Sequence, residues 1–311
     1  MRNRLAMIAL ILFLMVLPFL VGKYFLYVAI QILLLSIFSL GFNLLFGYTG
    51  LLSFGQAGFY AVGAYGCAKI LIVYPSLLAG IVGGTAIAGA ASFLLGALCI
   101  RHTRIYFSML TLSFGMMIFS LAWKWRDMTG GDDGLVGIPR APLEIPGLFK
   151  INMADMSSYY YVVLGFSILA IYLGHRIVYS PMGLAMQGIR DSETRSACIG
   201  ISVRRYRLFS FTLAGLFAGL SGALLPPLES TVTPPIAHWS HSAEPVMATL
   251  LGGVYSFSGP IVGSVIFYLL KDVIVRFTEY WLICLGIIVV VLVLGFRGGV
   301  VSIFEREGGR R

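Results

Sequence analysis

Few side chains in this chain are placed for bond-making chemistry. His238, His241 and Glu244 fall close together, and two histidines three apart could ligate a metal. The flanking prolines argue against the helix that an H-E-x-x-H site requires, so no metal is expected there. TGGDDGLVGIP (Thr129–Pro139) sets Asp132 and Asp133 among glycines, as calcium or phosphate loops do. It lacks the twelve-residue ligand spacing of an EF-hand and reads instead as a turn-rich cap over an outer vestibule. Cys67, Cys99, Cys198 and Cys284 are scattered, with neither metal spacing nor a disulfide framework. No nucleophile is paired with a base, so an enzyme is not indicated and no catalytic, cofactor or metal residue is assigned. No G-x-x-x-x-G-K-[ST] occurs, which excludes ATP hydrolysis by the P-loop route.

What remains is polar but uncharged. Two stretches, Phe42–Gly66 and Leu250–Ser264, cluster glycine with Ser, Thr, Gln or Asn inside long apolar sequence. Irregular backbone at membrane depth is tolerated only where protein or a water-filled cavity satisfies it. Transporters interrupt their helices in this way along substrate paths. Asn43, Gly50, Ser53, Gly55, Gln56, Gly58, Gly252, Gly253, Ser256 and Gly259 are therefore the candidates for a translocation pathway. Tight helix packing would explain the same glycines equally well. The shared order of Gly, Ser-Phe and Gly hints at an internal repeat. No Asp, Glu or Arg falls mid-span, and Lys69, His102, His175, Lys271 and Asp272 lie near span ends. That distribution speaks against a proton-driven symporter.

These residues must be positioned by helices in lipid. The chain of 311 residues is 59% hydrophobic and 11% charged, with mean hydropathy +0.92. A soluble domain carries about 25% charged residues. The 37 glycines suit close helix approach, and continuous rather than alternating apolar runs exclude a β-barrel. An all-α, polytopic bundle follows, as a single membrane domain. Spans of about 20 residues are expected at Leu5–Val21, Tyr24–Phe46, Leu51–Val73, Leu77–Ile100, Ile105–Trp123, Tyr159–Ile177 and Leu208–Leu225. Three broken pieces follow, Pro245–Tyr255, Pro260–Val275 and Tyr280–Phe296, divided by the SFSGP break. The first span follows Arg2 and Arg4 without an A-x-A-like cleavage site, so it reads as a retained helix rather than a signal peptide.

Charge sets the orientation. Arg176–Arg207 holds six basic and two acidic residues, whereas Lys124–Ser158 holds four basic and five acidic. The first is expected in the cytoplasm, with Arg2, Arg4, the turn Arg101–Arg104 and the tail Arg297–Arg311. The stretches at about 124–158 and 226–244 are expected outside. An odd number of crossings must follow Glu244, which gives about ten helices, with eight as the alternative. The net charge of +9 is that of basic inner loops, and no nucleic-acid partner is implied.

The inner loop at about 178–207 has the marks of a built object. Ser180 and Pro181 suit the N-cap and first position of a helix. Met182, Ala185, Met186 and Ile189 recur on one face. Asp191 and Ser192 can cap a second helix, with Glu193 in its first turn and Gly200 just past its end. Two short helices are expected, joined at an exposed tip, Arg190–Asp191. Contact with a partner is expected at Arg190–Glu193, while Arg204, Arg205 and Arg207 hold the next helix at the lipid surface.

Four motifs in order, FNLLFGYTGLLSFGQAGFYAVGAY, TGGDDGLVGIP, SPMGLAMQGIRDSETRSACIGI and LLGGVYSFSGP, resemble the bacterial ABC-transporter permeases of the branched-chain amino acid type, of the LivM-like kind. The resemblance implies that Gly183–Ile201 docks on a cytoplasmic ATPase, with Gly183, Ala185, Ile189, Arg190, Asp191, Glu193, Gly200 and Ile201 matching the family's inner-loop pattern. It also implies two ATPase subunits that bind the ATP, a homologous second permease, a periplasmic binding protein and a place in the bacterial inner membrane. The chain departs from the pattern at Leu184, where members often carry Arg, and at Gln56, where they often carry His. Relatives also handle urea, short amides and aromatic acids. A stand-alone channel for a small polar solute is the alternative of another class.

Overall fold

A computed structural model describes residues 14–102, 104–145, 149–151, 155–278, 280–295 and 299–301. Arg2 and Arg4, most of the expected first span, and most of the arginine-rich tail lie outside the described residues. Residues 14–20 are helical. The long helices that follow are α1 (Lys23–Thr49), α2 (Gln56–Val73), α3 (Leu77–Cys99), α4 (Arg104–Lys124), α5 (Met156–Val178) and α8 (Val203–Ala223). Between α5 and α8 lie the short helices α6 (Pro181–Asp191) and α7 (Glu193–Cys198). The chain continues as α9 (Trp239–Gly252), α10 (Gly259–Phe277) and α11 (Trp281–Gly295).

By length and composition six helical segments among the described residues can cross a membrane: Lys23–Thr49, Gln56–Val73, Leu77–Cys99, Ile105–Lys124, Met156–Val178 and Val203–Glu229. Six of the roughly ten expected spans are thus full-length. The remaining C-terminal passes are the broken pieces. α9 has 14 residues, about 21 Å at 1.5 Å per residue, short of a hydrocarbon core of about 30 Å. α10 carries Lys271, Asp272 and Arg276 in its second half. The three pieces fold back on one another: Lys271 of α10 pairs with Glu244 of α9, and after α11 the Val300 amide donates to the Leu251 carbonyl at the foot of α9. None of these three pieces is among the six full-length candidate spans.

Small residues let the helices meet. α1, α2, α3 and α8 form the centre. There Gly63 of α2 lies on the Gly219 carbonyl of α8, and Gly84 of α3 lies on the Gly63 carbonyl. Hydroxyls then join helices that have no apolar preference for each other over lipid. Ser221 Oγ donates to the Leu34 carbonyl at 2.7 Å, and Thr49 Oγ1 and Ser210 Oγ lie 2.6 Å apart. Loops at the opposite end from α6 and α7 carry two antiparallel ribbons. One pairs β1 (Leu135–Val136) with β4 (Thr231–Val232), and the other pairs β2 (Leu143–Ile145) with β3 (Phe149–Ile151).

Two differences from the sequence expectation bear on the site. The second span starts at Gln56 rather than Leu51, because Gly50 adopts the left-handed conformation (φ 74°) that ends α1. Residues 51–55 then run without regular structure, buried or half-buried. The other difference is α9, which begins six residues before Pro245, so the latter part of the stretch at about 226–244 is helical. Pro245 lies in the second turn, where its missing N–H removes one backbone bond without ending the helix. The His238 side chain caps the start by accepting from the Ser240 amide at 3.4 Å.

Candidate functional site

The segment from Ser180 to Arg207 is the compact object its caps foretold. Ser180 Oγ accepts from the Gly183 amide and Ser192 Oγ from the Arg195 amide, both at 3.4 Å. Pro181 is the first residue of α6. Met186 and Ile189 are buried, Ala185 is half-buried, and Gly183 rests on the Val178 carbonyl, where a Cβ would collide. Gly200 takes φ 88° just past α7, and the Ile201 amide closes the turn on the Ser196 carbonyl at 3.0 Å. The 11 and six residues of α6 and α7 are too short to cross a bilayer.

The joint and the charges are not where the sequence alone put them. α6 continues through Asp191, so the corner falls at Ser192. Arg190 is not an exposed tip; its side chain is 25% exposed and turns inward. Nη1 donates to the Gly47 carbonyl of α1 at 2.7 Å, Nε donates to Asp191 Oδ1 at 3.1 Å, and the guanidinium lies 5.1 Å from the Tyr255 ring centre. One side chain thereby ties α6 to the last turn of α1 and to the α9–α10 loop. Arg207 is likewise no lipid-surface anchor. It is buried and grips Glu193 with two parallel bonds of 2.9 and 2.7 Å, the bidentate geometry that guanidinium favours. A buried charge that loses its partner is costly, and Glu193 is half-exposed. Glu193→Ala should therefore lower stability by about 1–3 kcal/mol. Glu193→Gln combined with Arg207→Met should lie closer to the wild type in thermal unfolding of the solubilised protein.

The two glycine-rich stretches meet partly. Asn43, Gly252, Gly253, Ser256 and Gly259 come together beside Arg190, with Asn43 Nδ2 3.5 Å from the Ser256 carbonyl and its Oδ1 buried without a partner. Gly50 packs on the Arg190 side chain. Phe257 of the same loop meets His175 of α5 edge-on at 5.5 Å. Ser53, Gly55, Gln56 and Gly58 form a second group against α4. Gly55 touches the Thr111 carbonyl, Gly58 lies on Gly115 and Ile118, and Gln56 is buried with neither amide atom partnered. Both groups set irregular backbone inside the bundle.

A third polar group was not assembled from the sequence. Toward the end opposite α6 and α7, a cavity of about 240 Å³ opens between α1, α2, α8, α9 and α10. Glu244 stands in its wall between Lys271 at 2.6 Å and His241 at 3.4 Å. Neither Glu244 nor Lys271 lies in one of the six candidate spans; what packing adds is that they face each other in the cavity lining. Glu244 belongs to α9 and Lys271 lies six residues inside α10. The helical spacing of His241 and Glu244 was the available signal, masked by Pro245. Among the described residues no three His, Cys, Asp or Glu side chains are grouped to hold a metal.

Comparison with known proteins gives the family of the chain. The chain is 28% identical to the high-affinity branched-chain amino acid transport system permease protein LivM of Escherichia coli K12, over 94% of this chain and 73% of that protein. It is 29% identical to the protein of the same name from Salmonella typhimurium LT2, with the same coverage. A probable branched-chain amino acid transport permease protein LivH of Methanocaldococcus jannaschii is 26% identical over 75% of this chain and 74% of its own length. No solved structure matches the chain. The family described as branched-chain amino acid transport system, permease component, matches residues 24–293. With that match over most of its length, on a multi-span helical bundle, this chain belongs to the branched-chain amino acid transport permeases.

Proposed function

We propose that this chain, as one membrane domain, forms with a homologous second permease the pathway of an ATP-driven importer for branched-chain or related amino acids in the bacterial inner membrane. α6 and α7 face the cytoplasm and dock on one of two ATPase subunits, which bind the ATP. A periplasmic binding protein delivers substrate at the opposite end. The observation that carries this reading is the capped, non-spanning pair α6–α7, joined through Arg190 to Gly47 and Tyr255. A push on α6 reaches the foot of α1 and the α9–α10 loop through that side chain, beside the irregular backbone of both glycine-rich stretches. Rocking between outward- and inward-facing states then requires no titrating relay.

Proteoliposomes holding this chain, its partner permease and both ATPases, supplied with substrate-loaded binding protein, should accumulate labelled leucine only with ATP. Passive uptake by the purified chain alone would replace this reading with that of a small-solute channel. ATP-driven uptake of urea, short amides or aromatic acids in place of leucine would retain the importer and change its substrate.

A further inference from the structure

We propose that the cavity beside Glu244 is a binding site for a zwitterionic amino acid, its ammonium held at Glu229 and its carboxylate at Lys271. The proposal rests on the importer reading and names the residues that would hold its substrate. Glu229 stands exposed in the cavity lining, at the end of the turn Pro226–Glu229 that follows α8. Its carboxylate accepts from Gln31 Nε2 at 3.0 Å and from the Tyr27 hydroxyl at 3.2 Å. These are neutral donors, and Glu229 forms no ion pair among the described residues, so its charge is oriented but not neutralised. Elsewhere in the lining, Glu244 holds Lys271 at 2.6 Å. An ammonium has three donors, so Lys271 can keep Glu244 and still meet a ligand carboxylate.

Both signs of charge are therefore presented across one small space. Leu34, Leu35, Phe38 and Ile236 supply an apolar part of the wall, and Tyr60, Ser221 and Tyr268 add polar groups to it. His241 also lines the cavity, with its ring 4.8 Å from that of Tyr60 and its Nε2 buried without a partner. The cavity volume of about 240 Å³ lies just below the roughly 300–1,000 Å³ typical of drug-sized ligands, which suits a solute the size of an amino acid. Urea or a short amide would leave the Glu229 charge unmatched, and a simple cation would meet Lys271. A zwitterion with an aliphatic side chain satisfies the two ends and the wall together. The site opens at the end where a binding protein would release its cargo.

The test uses the complete importer in proteoliposomes, with labelled leucine supplied on the binding protein. Glu229→Gln keeps an acceptor for Tyr27 and Gln31 and removes only the charge. It should lower the uptake rate at saturating binding protein about tenfold, the scale of a lost charge-assisted contact. The binding-protein concentration for half-maximal uptake should not change. Glu244→Gln with Lys271→Met removes the pair without orphaning a charge and should lower uptake at least as far. If that variant does not assemble, Glu229→Gln decides alone. An unchanged uptake rate in Glu229→Gln would overturn the site. So would a rise in half-maximal concentration alone, which marks Glu229 as a docking contact for the binding protein. If the wild-type complex takes up no leucine with ATP, the importer reading for leucine fails, whatever the variants do.

Discussion

Arg190→Ala should lower substrate-stimulated ATP hydrolysis at least tenfold in the reconstituted complex, with uptake falling in step. This side chain joins α6 to both the foot of α1 and the α9–α10 loop. It does so through the 2.7 Å bond to the Gly47 carbonyl and the 5.1 Å stack on Tyr255. Truncation leaves the fold of α6 intact, because that helix is held by the Ser180 cap and by buried Met186 and Ile189. The cost in stability should therefore stay at about 1.5–3 kcal/mol, that of one charged hydrogen bond, while coupling is lost. Arg190→Lys should recover only part of the stimulation, since a single ammonium cannot bond Gly47 and Asp191 in a fork and stack on Tyr255 together. Replacing Arg190 and Asp191 together should abolish stimulation. Wild-type stimulation in Arg190→Ala, with the complex assembled, would show that α6 transmits through other contacts.

Gly252→Ala and Gly259→Ala should each prevent the C-terminal hairpin from closing. α9 and α10 cross with backbone against backbone. A Cβ on Gly252 would overlap the Gly259 carbonyl, one on Gly259 would overlap the Gly253 carbonyl, and Gly263 lies on the Ala248 carbonyl in the same way. None of these neighbours is a flexible side chain that could swing aside, so the helices must separate along the crossing. Overpacking of this kind costs about 1–3 kcal/mol and sometimes more. Here separation would also pull the α9–α10 loop from Asn43 and Arg190 and open the seat of residue 299 on Gly253. Detergent-solubilised protein should show a lower unfolding temperature and a smaller monodisperse fraction on size exclusion. Gly165→Ala and Gly286→Ala, where a Cβ meets nothing within 4 Å, are the controls and should match the wild type. Equal behaviour of Gly252→Ala and the controls would mean that this crossing is looser than its geometry.

The single variants and the hairpin test separate two meanings of the glycine-rich stretches. Gly252 and Gly259 are required for close approach whatever else they do. Asn43 and Gln56 are buried with unpartnered polar atoms and are the members of the two stretches best equipped to touch a polar solute.

The sequence by itself determined whatever depends on near neighbours along the chain. The six long apolar runs, the cap at Ser180, the cap at Ser192, the left-handed end at Gly200 and the short length of α6 and α7 all follow from patterns a few residues wide. Helix formation in lipid is local, because every backbone bond closes within the helix itself. The break after Gly50 was legible in the glycine content, though not its consequence that α2 begins only at Gln56. Where the charges point was decided by the tertiary structure alone. Arg190 finds its acceptor 143 residues away, Glu229 its donors about 200 residues away, and Glu244 its ammonium 27 residues on, across an antiparallel turn. A basic loop and an acidic loop look alike whether their side chains face water or a neighbouring helix. Only packing shows which charges are buried, and a buried charge must be paired.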